Sequence, residues 1–487
     1  MDNTSNLKQK TISGMLWNFM EKIFIQVISL VISIILARLL SPSDFGIIGM
    51  LAIFMSLSNL IIDSGITQAL IQKQKRTEKD FSTAFLFNMF MGVITYAVLF
   101  FCAPLIAKFY DAPILIPITR VLCLTVIINS LAVVQCTQLM IAINFKKLFV
   151  IRLISIMIAG IICIIAVYYN LGVWALVIKS LSFSITTTLL FWLIGRWYPR
   201  HGFSFQSFKA LFNFGSKLLA CGIIHIFFEN IYNVFIGRFY KTEQLGYYAK
   251  ANQLATLTSI SIISVIQTVS YPLLTSLQSD TAQMKKAFRK LLKVAALVTF
   301  PIMIGFALLS EQTITILLTE KWAFAADLLF WLALSSVFTP IGSLNLNMLN
   351  AIGRSDLFLK LEVLKIPIVI LTMIITLQIS VKAMVIGKFI ISFLFFFVNA
   401  YMPGKLFNYG AFEQIKDIYK IIIATGVMVA FLSAIKVMQN DYLVLALGIP
   451  ASTIVYLVSL HVLKVGEVYE LIDILKAKVN SIKQKVE

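Results

Sequence analysis

Fourteen long apolar windows, joined by connections of at most roughly 20 residues, run along this chain from end to end. They lie near residues 12–37, 45–71, 81–107, 114–142, 148–169, 172–195, 212–237, 246–277, 291–310, 324–350, 358–380, 383–403, 418–436 and 442–463. A helix needs about 20 mostly apolar residues to cross the hydrocarbon of a bilayer. Backbone buried there must satisfy its own hydrogen bonds, so each window is read as a helix. Of 487 residues, 59% are apolar and 13% are charged, which leaves too little polar surface to cover a set of water-soluble domains. The composition excludes a soluble enzyme, a nucleic-acid binder and a disordered chain, and what remains is an all-α, polytopic membrane protein of about 14 transmembrane helices.

The charges test this count. Lys and Arg total 41 against 22 Asp and Glu, a net charge of +19. In the proposed topology 28 of the cations fall in loops or near window ends on one side and nine on the other, while Lys22, Lys179, Lys365 and Lys388 lie deeper inside windows. Cytoplasmic loops collect Lys and Arg, so the rich side is cytoplasmic and an even number of helices puts both termini there, with Lys8 and Lys10 marking the first. The first apolar run is too long for a cleavable signal peptide. Cys102, Cys123, Cys136, Cys163 and Cys221 all sit in apolar stretches without metal-ligand spacing, so neither a metal site nor a disulfide framework is expected. In the tail, Val465, Val468, Leu471, Ile472, Leu475, Val479 and Ile482 recur at helical spacing, which fits either an amphipathic helix on the inner membrane surface or a solvated helix.

The two halves of the chain resemble each other. WNFMEK (Trp17 to Lys22) matches FNFGSK (Phe212 to Lys217), and Arg38 precedes Gly46 by eight residues as Arg238 precedes Gly246. AI-x4-LF recurs at Ala142–Phe149 and Ala351–Phe358, and ALVI (Ala175 to Ile178) matches AMVI (Ala383 to Ile386). The pairs are collinear, with offsets of 195 to 209 residues. Two parallel six-helix repeats follow, with two further helices at the C-terminal end. The corresponding segments are an N-terminal lobe, 1–195; a C-terminal lobe, 196–410; helices thirteen and fourteen, 411–463; and a cytoplasmic tail, 464–487. Such duplicated bundles are a transporter architecture. No P-loop for ATP is present, so any driving force is an ion gradient, the membrane potential or the substrate gradient.

Several stretches resemble the polysaccharide transporter family, the Wzx-type flippases of the MOP (MATE-like) superfamily, and most closely its teichuronic acid and colanic acid exporter branch. They are ARLLSPSDFGIIGM (Ala37 to Met50), DSGITQALIQ (Asp63 to Gln72), IGRFYKTEQLGYYAKANQL (Ile236 to Leu254), YPLLTSLQSD (Tyr271 to Asp280), Lys321–Trp322 and AIGRSDLFLKLE (Ala351 to Glu362). The resemblance spans roughly residues 10 to 410. It implies the MOP fold and, in a bacterial inner membrane, export of an oligosaccharide carried on undecaprenyl diphosphate, the repeat unit of O-antigen, capsule or exopolysaccharide. Implied partners are the lipid-linked oligosaccharide, membrane lipids, and polymerase and chain-length proteins of the same pathway, with no nucleic acid. Many members carry Asp in helix seven where this chain has Tyr232, so an ion-coupling role is not carried over at that position.

A diphosphate and a glycan cannot cross about 30 Å of hydrocarbon unaided, so a flippase needs a water-filled cationic cavity, expected between helices 1–6 and helices 7–12. Ionisable residues within spans are costly and are candidates by default. In helix seven, Lys217, Cys221, His225, Glu229 and Asn233 step by four and share a face. That stripe reads as cavity lining, as a His225–Glu229 bond locking the helix to a neighbour, or as a proton relay. Lys179, Lys365 and Lys388 stand alone in helices six, eleven and twelve, and suit phosphate or an acidic sugar unless they snorkel. Lys22 and Asp63 lie at similar depth and can pair, structurally or as an inner gate, with Glu21 beside them. Arg38 and Arg238 occupy equivalent outer turns and read as helix-end ligands or an outer gate; Arg152 is a further head-group candidate. No cofactor is expected beyond H+ or Na+ as a coupling ion.

Three rival activities remain open. A lipid II flippase shares the helix count and the cationic cavity; an ion-coupled drug antiporter needs twelve helices and fewer cations. A polysaccharide polymerase needs a sizeable outer loop with catalytic Asp, Arg or His, and the outer loops here are short.

Overall fold

The computed structural model describes the backbone of residues 2–63, 65–438 and 440–469; the side chains of residues 2–16, 18, 19, 214, 217, 218 and 265 lie outside it. The sequence readings on Lys8, Lys10, the Lys217 side chain and the tail beyond residue 469 therefore fall outside the described residues. Among the described residues the regular structure is helical, with no strand. Packing divides the chain into two units, residues 1–249 and 250–487.

The first unit holds α1 (Asp2–Leu39), α2 (Pro42–Asp63), α3 (Ile66–Gln72), α4 (Glu78–Tyr110), α5 (Leu115–Leu122), α6 (Leu124–Ser130), α7 (Val133–Ile141), α8 (Phe145–Tyr168), α9 (Val173–Gly195), α10 (Phe205–Phe239) and the start of α11 (Thr242–Ser276). The second holds the rest of α11, then α12 (Thr281–Leu308), α13 (Ser310–Leu318), α14 (Ala323–Ser336), α15 (Thr339–Ala351), α16 (Ser355–Leu377), α17 (Val381–Phe407), α18 (Ala411–Ile435) and α19 (Asp441–Val462). The lobes expected from the sequence divide at residue 196, whereas packing groups α10 with the helices before it.

Among the described residues twelve helices are long and apolar enough to cross a membrane, and a thirteenth crossing arises if the bent α5–α7 run counts as one. The window at 358–380 folds as α16, whose Asp356, Lys360, Glu362 and Lys365 set it apart from the others. Three windows expected as continuous helices are broken. The fourth divides into α5, α6 and α7, with a 41° bend between Ser130 and Val133. There the hydroxyls of Thr125 and Ser130 bond back to the carbonyls of Leu122 and Ile127, competing with the helix ladder. The second window breaks at Gly65, whose φ of 67° belongs to the left-handed region. The tenth breaks ahead of α15, where Pro340 takes a helix-start position and Ser335 and Ser336 both bond back to Leu332.

The connection between the halves is pinned to the first unit. Trp197 donates to Glu78 at 3.0 Å and packs edge-on against Phe81 and Phe85, while the backbone N–H groups of His201 and Ser204 donate to Ser82 and Thr83. In the second unit α18 and α19 are part of the core: Ile418, Ile421, Met428, Tyr456 and Leu460 pack with Phe288, Leu292 and Met303 of α12. Val465 and Val468 join this cluster and Glu467 pairs with Lys293 at 2.9 Å, so the first residues of the tail pack on the second unit.

Asn345 and Gln414, both fully buried, exchange two side-chain hydrogen bonds at 3.1 and 2.7 Å and tie α15 to α18. Interhelical bonds in membranes contribute about 0.6 kcal/mol on average and at most about 1.7. Asn345→Leu leaves the Gln414 amide without that partner, and we expect a loss of about 1–2 kcal/mol, seen as a lower melting midpoint in detergent. Adding Gln414→Leu should recover most of it, because neither amide is then stranded; a double variant worse than the single would refute the pairing.

Candidate functional site

In the first unit the charged residues of α1 and α8 meet. A β-carbon on Gly160 of α8 would lie 2.5 Å from Ile32, which shows how closely the two helices approach. Near the start of α8, capped by Asn144, Arg152 donates to the Glu21 carboxylate at 2.5 Å. Its other nitrogen lies 3.9 Å from the Cys136 sulfur on α7. Glu21 is 4% exposed, so this is an ion pair with one member buried. Lys22, the next residue, points elsewhere because successive helical side chains are about 100° apart; it is exposed and has no ion pair among the described residues. Asp63 is likewise not paired with Lys22 there: its carboxylate accepts the Thr67 N–H at 3.2 Å and caps the start of α3.

The α10 stripe follows its helix as expected but does not lock it to a neighbour. His225 and Glu229 approach to 3.9 Å with 78% and 60% of their side chains exposed, and Cys221 is exposed as well. Asn233 turns inward and donates to Asn230 at 3.3 Å. Exposed charge at the middle of an apolar helix is expensive against lipid, which favours water on this face.

In the second unit Lys388 of α17 donates to Asn252 of α11 at 3.2 Å. Lys365 does not stand alone as expected: it is 9% exposed, pairs with Glu362 one turn earlier at 2.5 Å and lies over the Phe395 ring. Lys179 of α9 is half-buried and has no ion pair or hydrogen bond among the described residues. Arg38 and Arg238 are exposed and sit in the last turns of α1 and α10, where a cation complements the helix dipole; Arg238 also lies 5.7 Å from the Phe109 ring.

Sequence reasoning missed two members. Lys250 lies within α11 and is 2% exposed. Asn252 is the partner of Lys388, and nothing local marks that contact, since the two lie 136 residues apart. The described residues hold no group of three or more His, Cys, Asp and Glu side chains able to bind a metal.

Each unit carries ionisable groups within apolar helices: in the first, the exposed His225–Glu229 pair, Lys179 and the Arg152–Glu21 pair; in the second, Lys250, Lys365 and Lys388. Groups of this kind suit contact with a polar or charged partner in a membrane. A family model described as polysaccharide biosynthesis protein matches residues 35–327. The chain is 27% identical over 354 residues to the teichuronic acid biosynthesis protein TuaB of Bacillus subtilis (strain 168), covering 72% of this chain and 73% of that one. It is 28% identical over 368 residues to the lipopolysaccharide biosynthesis protein WzxC of Escherichia coli (strain K12), covering 74% of each. The fold is similar to the lipid II flippase MurJ in an inward closed conformation, with a TM-score of 0.72 at 17% identity, over 92% of this chain and 98% of that one. It is also similar to an inward-facing multidrug resistance MATE family transporter of the MOP superfamily, with a TM-score of 0.62 at 13% identity, over 80% and 98%. The architecture is therefore the MOP fold expected from the sequence.

Proposed function

The chain belongs to the polysaccharide biosynthesis protein family, and from that premise we propose that it is a flippase exporting a lipid-linked oligosaccharide across the bacterial inner membrane. The family match over residues 35–327 carries this reading, and the relatives involved in teichuronic acid and lipopolysaccharide biosynthesis support it. The substrate is a glycan on undecaprenyl diphosphate, delivered from the cytoplasmic to the outer leaflet for use by polymerase and chain-length partners. The protein acts by alternating access and makes or breaks no covalent bond. Its task is to replace the water around a diphosphate and a glycan while the lipid tail stays in hydrocarbon.

Lys179, Lys388 and the α10 face are the proposed contacts for the anionic and polar parts of the substrate. Glu21 with Arg152 holds the inner part of the first unit together. His225 and Glu229, being exposed and 3.9 Å apart, are the place where H+ or Na+ coupling would enter. The termini are assigned to the cytoplasm on the charge bias of the loops.

The experiment is the sidedness of lipid-linked oligosaccharide in cells with and without the gene. Deletion should trap completed units on the cytoplasmic leaflet. Single units that still reach the outer leaflet but are not joined would mean that the protein acts after translocation, as a polymerase does.

A further inference from the structure

Two glycines of the first unit make a reciprocal close approach. A β-carbon on Gly46 of α2 would lie 1.9 Å from the carbonyl oxygen of Thr242, and one on Gly246 of α11 would lie 1.8 Å from that of Pro42. Both distances are shorter than any side chain tolerates, and the obstacle is backbone in each case. The two contacts are one contact seen twice, because residues 42 and 46 become 242 and 246 on adding the 200-residue offset between the repeats. Each glycine rests on the carbonyl four residues before its counterpart, as at a two-fold axis. The relation continues inward: a β-carbon on Gly49 would lie 3.8 Å from that of Ala249. Gly237 packs on Met50, Tyr110 and Leu245, and Met50 beneath the crossing is 1% exposed. Asp44, accepting from the Ser41 N–H and hydroxyl, and Glu243 place an acidic group in the first turn of each helix, which offsets the meeting of two positive helix ends.

We propose that the Gly46–Gly246 crossing is the outer gate of the transport cycle, a clasp that seals when the starts of α2 and α11 interlock and parts to release substrate. This rests on the reading of the chain as an alternating-access exporter. Only glycine permits the interlock, so a larger residue at either position holds the clasp apart. The crossing joins equivalent positions of two repeats, so rotating one against the other opens it without unfolding either helix.

Two variants of the full chain test this in cells. Disulfides join β-carbons about 3.5–4.5 Å apart, and positions 49 and 249 meet that requirement. Gly49→Cys with Ala249→Cys should cross-link on oxidation, confirmed by peptide mapping against the five native cysteines, and export should stop and return on reduction. Complete cross-linking with undiminished export would overturn the proposal, and so would failure to cross-link in folded protein. The second test needs no substrate. Met50→Cys should resist a membrane-impermeant maleimide added outside, and adding Gly46→Leu should raise that labelling about ten-fold or more. Unchanged labelling in folded protein would also overturn the gate. If the gate opens as described but the parent chain moves no lipid-linked glycan, the failure lies with the exporter reading and the clasp stands.

Discussion

Replacing Arg152 with alanine should destabilise the protein by about 2–3 kcal/mol, the largest single-residue effect on stability expected in the first unit. The cause is what the substitution leaves behind. Glu21 is 4% exposed and its carboxylate is held by the Arg152 guanidinium, with a weaker contact from that guanidinium to Cys136. Breaking a fully buried pair from one side costs about 3–5 kcal/mol, because a charge remains out of water without its counterpart. The Arg152 side chain is 38% exposed, so water screens part of the pair and the expected loss falls below that range. Glu21→Gln should cost less, since the guanidinium it strands reaches water. Arg152→Met combined with Glu21→Gln should be closer to the parent than Arg152→Ala is, because no charge is then buried. Melting midpoints of the purified variants in detergent, taken as a double-mutant cycle, give the coupling. An Arg152→Ala protein that melts with the parent would show that the pair does not hold α1 to α8.

How much of this was legible in the sequence depends on how far each contact reaches along the chain. Helix existence was legible, because a bilayer demands long apolar runs and the windows have no other reading. The helix breaks were not, since Gly65, Pro340 and the back-bonding hydroxyls of Thr125 and Ser130 barely lower the hydropathy of a window. Arg152 and Glu21 were both singled out, yet they are 131 residues apart and no periodicity joins them. Lys22 was matched with Asp63 by depth alone, and depth says nothing about which way a side chain faces around its helix. Glu362 and Lys365 share a helix three residues apart, and the i,i+3 rule would have found that pair. The glycines at 46 and 246 entered as markers of duplication; the need for glycine there shows only when the two helices are brought together.

Replacing Lys388 with methionine should cut export about ten- to hundred-fold while leaving the amount of folded protein near the parental level. Gly387 sets the geometry: a β-carbon there would lie 2.9 Å from Thr372 of α16, so one side of α17 is pressed on its neighbour. The next residue faces about 100° away, where the ammonium donates to Asn252. An amide oxygen orients a lysine without neutralising it, and a cation held this way suits a phosphate or an acidic sugar. A hydrogen bond to a charged group contributes about 1.5–3 kcal/mol, which sets the expected range. Lys388→Arg should keep part of the activity, because the charge survives while its reach and shape change. Asn252→Leu should lower export less than Lys388→Met, by releasing the ammonium without removing it. Export at the parental rate by Lys388→Met protein would remove this residue from the transport path.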